Sequence, residues 1–512
     1  MAKQIYIEKN HFMDSVRLMG ISSRLVSRDN IDLAEIQMGT PANQSVIRSL
    51  GFMLPDDVGA NDLIIALAGD SQEALDAASD ELQRLMTQGS QSPDQRRYSS
   101  LDQIDLTDDP YDLVQISLPG PYAAAEANKA LDLGLDVFIF SDNIPLADEL
   151  QLKRKGCDRD LLVMGPDCGV GLLHGIALAA GSIVRPGPVG LVGASGSGAQ
   201  EVACLIEKGG LGVSAIIGTG GRDLYPEIGG LTMLQGLKRM VDDPATEVIV
   251  LVSKLADRQV MDRVLSEADA SPKPVVAIFL GADDSLYARH HVHAAFNLED
   301  AATKAIELVT RKAVRLSRPQ QVLAAIARQA VVSLHTDARY LRALYGGGTF
   351  AEESLLDLRR QLPDTVFYSN IKTSFAKRLD NHLVSQGHTI LDLGSEDFTR
   401  DAPHPVFDPA IRLKRFEQEL SDPDTAVLAL DFITGPGVHP DPAAGFAAAM
   451  EKARTARTTT PVVVVSICGS QEDPQDINRM HATLQDAGAI VAGSNAESAR
   501  IVAEILKILE GR

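Results

Sequence analysis

Two glycine-rich turns in this sequence carry the residue types that bind anions. The first, Gly193–Gly198, follows an apolar run that predicts a strand, and helical sequence begins at Ala199. The second, Gly346–Thr349, stands in the same position after the run Leu341–Leu344. A helix that begins at such a turn presents unpaired N–H groups and the positive end of its dipole. The predicted phosphate-binding residues are Ser195, Gly196, Ser197, Gly198, Gly347, Gly348 and Thr349.

The sequence of the first turn excludes two known motifs and leaves one structural alternative open. The first turn lacks the lysine of a P-loop, and Ser197 replaces the last glycine of a hydrolase elbow. A tight strand-to-helix turn with a serine N-cap would have the same sequence, so this structural alternative stays open. The three histidines in His290–His293 have no cysteine or carboxylate partner at a recognised spacing. We therefore expect no metal site.

Further turns follow other predicted strands. Since ligands in open α/β sheets gather at the carboxyl ends of strands, we expect several turns to meet in one substrate cleft. The predicted cleft residues are Gly165, Pro166, Asp167, Gly220, Gly221 and Asp223. Arg222, Arg400 and His404 are the predicted catalytic residues, because Arg222 would lie beside the polar cleft and the proline-rich loop that carries Arg400 and His404 could orient a substrate. For each turn a purely structural role is the alternative.

Short apolar runs alternate with helical segments along most of the chain. This rhythm predicts an α/β fold of several doubly wound domains with parallel sheets. The length of 512 residues suggests several domains. Breaks in the pattern predict an N-terminal α/β domain over 1–100, a Rossmann domain over 101–185, a flavodoxin-like domain over 186–315 and a C-terminal domain over 316–512.

Composition restricts the partners. The 48 basic and 69 acidic residues give a net charge of −21, so we expect no nucleic acid partner. The longest apolar runs are far shorter than the roughly 20 residues of a membrane span, and the N-terminus lacks a secretory signal. The four cysteines show no metal-binding spacing. We therefore expect a cytoplasmic protein with reduced thiols.

Several segments together resemble the bacterial FdrA family over nearly the whole chain. They are Asp14–Met19, Met38–Asn43, Phe140–Asn143, Leu162–Gly169, Val192–Glu201, Gly218–Leu224 and Pro403–Pro409. That family is related to the NDP-forming acyl-CoA synthetases. The region from about 112 to 308 is similar to the α subunit of succinyl-CoA synthetase, and the C-terminal part is similar to the ligase domain of its β subunit.

The resemblance implies a phosphate site formed by two helix N-termini, which the synthetase takes from two subunits. Here both would come from one chain. The synthetase's phosphorylated histidine precedes a Gly-Gly-Lys loop, whereas this chain has only His293-Ala-Ala-Phe and no such loop. It also lacks the lysine-containing turn with which the synthetase binds CoA. An ATP-grasp domain, which would bind a nucleotide, is not recognisable in the sequence either. The resemblance therefore implies phosphate or carbamoyl phosphate as a substrate. It does not establish that CoA or a nucleotide binds.

Three functions follow as hypotheses. The first is an enzyme subunit that transfers an acyl or carbamoyl group, as in the family's link to oxalurate, oxamate and carbamoyl phosphate. It would bind a small carboxylic acid or amide and act with partner subunits in an oligomer. The second is a true NDP-forming acyl-CoA ligase that phosphorylates one of His290, His291 or His293. The third is a non-catalytic scaffold that binds a phosphorylated metabolite.

Overall fold

The computed structural model describes residues 2–11, 13, 15–26, 28, 30–55, 57–88, 100–104, 106, 111–334, 338–400, 402–456 and 459–511. The chain divides into two compact units. The first comprises Met1–Ile104 and Phe398–Ile411, and the second comprises Asp105–Asp397 and Arg412–Arg512. Within the described residues, no helix is both long enough and apolar enough to cross a bilayer.

The first unit contains a three-stranded antiparallel sheet in the order β1-β3-β2. Its elements are β1 (Ala2–Glu8), α1 (Ser15–Val26), β2 (Ile31–Met38), α2 (Pro41–Ser49), β3 (Leu63–Gly69), α3 (Gln72–Gln88) and the 3₁₀ helix Leu101–Gln103. Odd-numbered residues of β3 pack with α1 and α3, whereas even-numbered ones pack with Ile47 and Phe52. Burial on both faces explains why the sequence of β3 has the continuous apolar run of a parallel strand.

The second unit begins with a small parallel sheet in the order β4-β5-β6. Its elements are β4 (Leu113–Ile116), α4 (Gly120–Asp132), β5 (Asp136–Ile139), α5 (Leu146–Asp158) and β6 (Val163–Met164). Small residues make the helix packing close: Ala123, Ala127 and Ala130 of α4 are fully buried. This is the βαβ arrangement that the alternating pattern predicts.

A seven-stranded sheet follows, in the order β13-β12-β11-β9-β10-β7-β8. Its elements are β7 (Val170–Leu173), β8 (Ile176–Ala179), β9 (Pro186–Gly193), α6 (Gly196–Lys208), β10 (Val213–Gly218), α7 (Leu231–Asp242), β11 (Val248–Lys254), α8 (Arg258–Asp269), β12 (Val275–Leu280), α9 (Asp284–Tyr287), β13 (His293–Ala294) and α10 (Leu298–Thr310). Strands β9 to β13 are parallel, and β7 joins β10 antiparallel. Both β7 and β8 thus precede the predicted boundary at 185 but belong to the sheet after it; the four-domain division stays a prediction.

The last sheet is entirely parallel, in the order β16-β15-β17-β14-β18-β19-β20. Its elements, with preceding helices, are α11 (Gln320–Ala330), the 3₁₀ helix Val331–Ser333, β14 (Tyr340–Tyr345), α12 (Gly348–Gln361), β15 (Phe367–Ser369), β16 (Lys377–Arg378), β17 (His388–Asp392), α13 (Glu396–Thr399), α14 (Ala410–Ser421), β18 (Thr425–Ile433), α15 (Ala444–Ala456), β19 (Val462–Cys468), α16 (Ile477–Asp486), β20 (Ile490–Ala492) and α17 (Asn495–Glu510). The predicted α/β fold with several parallel sheets is confirmed.

Candidate functional site

The two glycine-rich turns of the sequence meet in the second unit. Ser195 is the N-cap of α6, and its Oγ accepts a hydrogen bond from the Gly198 N–H at 3.0 Å. The same Oγ lies 2.6 Å from Oγ1 of Thr349, in the first turn of α12. Both side chains are buried. The N-termini of α6 and α12 therefore abut, and the positive ends of two helix dipoles reinforce each other at one place.

The turn before α12 is held by a buried carboxylate. Asp431 of β18 accepts hydrogen bonds from the N–H groups of Gly346 at 2.7 Å and Gly347 at 2.8 Å. Arg412 donates to the same carboxylate at 2.8 Å and to the carbonyl of Leu344 at 3.0 Å. The N–H of Gly347 is thus already used inside the protein. Among the first N–H groups of α12, those of Gly348 and Thr349 have no partner within the described part of the chain.

A lysine and an aspartate flank the start of α12. A Cβ atom at Gly348 would lie 3.1 Å from Nζ of Lys254 and would collide with the carboxylate of Asp392. Lys254 ends β11 and Asp392 ends β17, so the carboxyl ends of strands from both large sheets supply this site. Lys254 also lies 3.5 Å from Glu352 and is 41% exposed. A cation that solvent can reach therefore lies beside the two helix N-termini.

Burial shifts the ionisation of the acidic groups here. It raises the pKa of Asp392 to about 6, although the charge of Lys254 opposes the rise. Burial also raises the pKa of Glu352, again against Lys254. The charge of the site therefore becomes more positive as pH falls through about 6. Such a site can bind an anion and hold or release a proton near neutral pH.

Two of the predicted cleft turns also lie together. A Cβ atom at Gly220 would collide with the carbonyl oxygen of Pro166, and both Gly220 and Gly165 have positive φ angles. The N–H of Thr219 donates to the carbonyl of Gly193 at 2.8 Å, which connects these turns to the start of α6. The turns of the sequence prediction are thus neighbours. A Cβ at Gly221 would meet open space, so this part of the backbone is accessible.

Asp167, the third residue of the cleft motif, carries a shifted carboxyl group. Asp167 is exposed at the surface, but the groups packed around its carboxyl partly desolvate it and raise its pKa to about 6; the charge of Asp142 adds to the rise, while Arg222 opposes it. Its N–H donates to the carbonyl of Ser141 at 3.0 Å. The side chain is available for proton transfer near neutral pH.

Arg222 and Asp223 belong to a buried ion network. Asp223 is fully buried and accepts hydrogen bonds from Lys153 at 2.7 Å and from the N–H groups of Thr232 and Met233 at the start of α7. Arg222 lies 2.8 Å from Glu149 and donates to the carbonyl of Ile144 at 2.8 Å. The Asp223 carboxylate therefore caps a helix. Roles of these two residues toward a substrate stay predictions.

The other two predicted catalytic residues, Arg400 and His404, lie in the first compact unit, whereas Ser195 and Thr349 lie in the second. The Nδ1 atom of His404 accepts a hydrogen bond from the N–H of Val406 at 3.3 Å, and its ring lies edge-on to a neighbouring phenylalanine. His404 thus stabilises its own proline-rich loop. A substrate role for either residue stays a prediction.

The three-histidine segment lies away from the carboxyl ends of the strands. His290 is nearly buried, with its ring nitrogens 2.8 Å from Asp269 and 3.3 Å from Asp262 of α8. His293 pairs with Val276 near the start of β12. His293 is thus level with the amino-terminal half of β12, whereas the candidate site lies beyond the carboxyl ends of the strands. Among the described residues no group of three His, Cys, Asp or Glu side chains is arranged to hold a metal ion.

Three charged residues of the site, Lys254, Asp392 and Asp431, were not predicted from the sequence. Each stands at or near the carboxyl end of a strand whose core was recognised as a short apolar run. The available signal was a charged residue at or just after the end of such a run, at the edge where ligands bind in parallel sheets. Lys254 belongs to one seven-stranded sheet, and Asp392 and Asp431 belong to the other. The sequence did not specify how these two sheets are arranged, so it did not show which charges lie beside the glycine turns.

Three family models match successive parts of the chain. They are described as the AllF heavy metal-associated domain over residues 1–101, the CoA binding domain over 184–281 and CoA-ligase over 344–505. Residues 1–101 contain no cysteine. The α6 N-terminus lies within the match to the CoA binding domain, and the α12 N-terminus lies within the match to CoA-ligase.

A relative from Escherichia coli matches nearly the whole chain. "Uncharacterized protein YahF" of Escherichia coli is 36% identical over 514 residues, which cover 99% of each chain. The chain belongs to the YahF family. A succinate–CoA ligase α subunit of Archaeoglobus fulgidus is 31% identical over 32% of this chain and 58% of the relative. The YahF family is therefore related to the NDP-forming acyl-CoA synthetases, as the sequence resemblance implied.

Further relatives show the same partial coverage. The sulfoacetate–CoA ligase subunit SauD of Bilophila wadsworthia is 30% identical over 34% of this chain and 61% of its own length. The chain thus spans little more than half of the ligase subunits that it matches. A solved ATP citrate lyase from Methanothrix soehngenii shows 17% identity over 45% of this chain and 46% of its own, with a TM-score of 0.37.

Proposed function

We propose that this YahF-family protein is an enzyme subunit that transfers an acyl or carbamoyl group to or from phosphate. The observation that carries the proposal is the junction of the α6 and α12 N-termini at Ser195 and Thr349, with Lys254 beside it. Two helix dipoles, free first-turn N–H groups and an ammonium group suit a dianionic phosphate. Membership in an acyl-CoA-synthetase-like family supports chemistry on an activated carboxyl derivative.

The carbamoyl version of the reaction needs no group outside the two substrates. A phosphate oxygen attacks the carbamoyl carbon of oxalurate, and the bond from that carbon to the amide nitrogen breaks. The nitrogen takes the proton that phosphate loses, so that carbamoyl phosphate and oxamate form. The helix N-termini would bind the phosphate, and N–H donors nearby would stabilise the negative charge on the attacked carbonyl oxygen. Asp392, with its pKa of about 6, is the group beside the phosphate that suits the proton transfer.

Direct transfer is favoured over a histidine relay by the position of the histidines. His290 is engaged by two aspartates of α8, and His293 lies level with the start of β12. A phosphohistidine relay would need one of them beside Ser195 and Thr349. A ligase mechanism remains the second candidate because residues 344–505 match the CoA-ligase family model.

The deciding experiment is calorimetry with phosphate, carbamoyl phosphate, ATP and CoA. It compares the wild type with Ser195→Ala/Ser197→Ala and with Thr40→Ala. The last variant removes an equivalent N-cap from α2 and controls for the stability cost of losing a cap, about 1 kcal/mol. We expect phosphate and carbamoyl phosphate to bind the wild type and Thr40→Ala, and to bind the double variant at least tenfold more weakly.

Turnover separates the remaining hypotheses. Oxamate and carbamoyl phosphate are supplied to the protein with its co-purified partners, and oxalurate is measured. Release of ADP that depends on CoA, together with a labelled histidine, would assign the ligase mechanism instead. Phosphate binding without any turnover in the presence of partners would leave the scaffold hypothesis.

A further inference from the structure

A second anion site is suggested by a surface cavity away from the two glycine turns. Its volume is about 320 Å³, and it lies where the connector after α10 enters α11. The residues that line it are Arg315, Ser317, Arg318, Pro319, Gln320, Gln321 and Arg500. Three arginines around one cavity are unexpected in a chain with a net charge of −21. We propose that this cavity binds a pyrophosphate group, either free or as part of a nucleoside diphosphate.

Two of the arginines are fixed in position by buried carboxylates. Nη2 of Arg500 donates to both oxygens of Glu299 and to Oγ of Ser317, each at 2.9 Å. Arg318 donates through Nε to Glu497 and through Nη2 to the carbonyl of Val491 at 3.1 Å. Among the described contacts, Nη1 of both arginines is unused. These guanidinium groups are therefore held in place and still have donors for a ligand, which lowers the entropic cost of binding.

The cavity remains positive after these pairs are counted. Arg315 is exposed and has no partner among the described residues, so it adds a full charge. Helix α11 begins here with Pro319 as its N-cap and without a side-chain cap hydrogen bond. The N–H groups of Gln320 and Gln321 precede the first bonded N–H, which is that of Val322. Three guanidinium groups and two free N–H groups thus oppose two buried carboxylates.

This combination favours two linked phosphates over a single small anion. Guanidinium groups bind phosphate oxygens in pairs through their planar forks. The cavity has room for more than one phosphate, and its arginines come from two separate segments, so one ligand would be held from two sides. The inference is independent of the proposed function, because none of these residues belongs to the α6–α12 junction.

The test is calorimetry with pyrophosphate and, separately, ADP. The variant is Arg315→Ala, whose exposed side chain has no structural partner to lose; Arg315→Lys keeps the charge without the fork. Lys312→Ala, an exposed cation on the same connector outside the cavity lining, is the matched control. All variants are made in the Ser195→Ala/Ser197→Ala background, so that binding at the other site does not contribute. We expect the dissociation constant for pyrophosphate to rise at least tenfold in Arg315→Ala and less in Arg315→Lys.

Tighter binding of ADP than of pyrophosphate, with the same dependence on Arg315, would assign a nucleoside diphosphate; equal binding would assign the free anion. The proposal is overturned if the parent shows no saturable binding of either probe, or if Arg315→Ala binds them as tightly as Lys312→Ala does. Since loss of phosphate binding at Ser195 would leave this response intact, the two proposals fail separately.

Discussion

Lys254 is the residue at which the candidate site differs most from a simple structural turn. A helix cap needs no cation, whereas Nζ of Lys254 lies beside Gly348 at the start of α12. We expect Lys254→Met to weaken phosphate binding about tenfold, because one charge-assisted contact is lost, and Lys254→Arg to retain most of it. Calorimetry measures the affinity. The control Lys238→Met removes an exposed lysine of α7 that pairs with Asp242. If Lys254→Met binds phosphate as tightly as the wild type does, Lys254 does not contact the anion.

Asp392 should make anion binding depend on pH. Its pKa is raised to about 6 by burial, and Lys254, Asp431 and Glu352 are the charged groups around it. Above pH 6 its carboxylate repels an anion; below pH 6 the neutral acid does not. We therefore expect sulfate, whose charge is constant in this range, to bind more tightly at pH 5 than at pH 8. Asp392→Asn should bind at pH 8 as the wild type binds at pH 5, and a pH response that persists in this variant would point to another group.

At the scale of single residues, the sequence indicated which turns could bind an anion but not which groups surround them. Ser195 and Thr349 were recognisable because serine, threonine and glycine before a helix form anion-binding turns. The occupation of the Gly347 N–H by Asp431 was not recognisable, since the two residues are 84 positions apart in sequence. Likewise, the hydrogen-bond partners of Asp223, which lie in α5 and α7, were not recognisable from the sequence.

The ion pair that fixes the α12 turn belongs to the element scale. Arg412 of α14 and Asp431 of β18 are both nearly fully buried. Removing one partner leaves the other charge buried and unpaired, so we expect Asp431→Ala to lower the free energy of unfolding by about 3–5 kcal/mol. Urea unfolding measures this loss. Asp441→Ala, which removes an exposed partner of Arg479, should cost less than about 1 kcal/mol; similar costs for both variants would contradict the role of the pair.

The junction of α6, α12 and α17 should respond to pH through buried carboxyl groups. Burial raises the pKa of Glu201 to about 7 from 4.5, with Lys208 opposing and Glu299 adding to the rise. As pH increases from 4.5 to 7, the unfolded chain releases the proton that the folded chain keeps. The free energy of unfolding therefore falls over this range, by on the order of 3 kcal/mol for this group.

Glu201→Gln should flatten that dependence, because the amide still accepts the hydrogen bond that the Asn495 N–H donates to Glu201 at 3.1 Å but does not ionise. Urea unfolding at several pH values measures the slope. The exposed Glu267→Gln in α8 serves as the control and should leave the slope unchanged. An identical slope in wild type and Glu201→Gln would show that Glu201 ionises freely in the folded chain.

At the scale of the whole molecule, the first compact unit is built from two segments that are far apart in sequence. The segment Phe398–Ile411 belongs to the same compact unit as residues 1–104, although it is inserted between β17 and β18 of the second unit. We expect replacement of 398–411 by a flexible Gly-Ser linker of equal length to lower the melting temperature of the first unit, because that unit loses part of its own packing. Differential scanning calorimetry measures this, and the second unit's transition serves as the internal control; a shift of that transition alone would contradict the division.

The α/β class followed from the alternation of apolar runs and helices, and the parallel sheets of the second unit agree with it. Two features did not follow from the sequence. The first sheet is antiparallel, although β3 reads as a parallel strand, since burial on two faces removes the alternation that distinguishes the two arrangements. The pairing of β7 with β10 crosses a predicted boundary because sequence breaks mark turns, not the sheet that a strand joins.

The contact between Ser195 and Thr349 joins residues 154 positions apart in one polypeptide. When two chains each supply half of a site, the site is complete only while the subunits stay associated, and dilution empties it. A covalent connection replaces that bimolecular equilibrium with a fixed effective concentration. An anion bound at this junction would consequently be held by one folded chain, and its affinity would not fall when the protein is diluted.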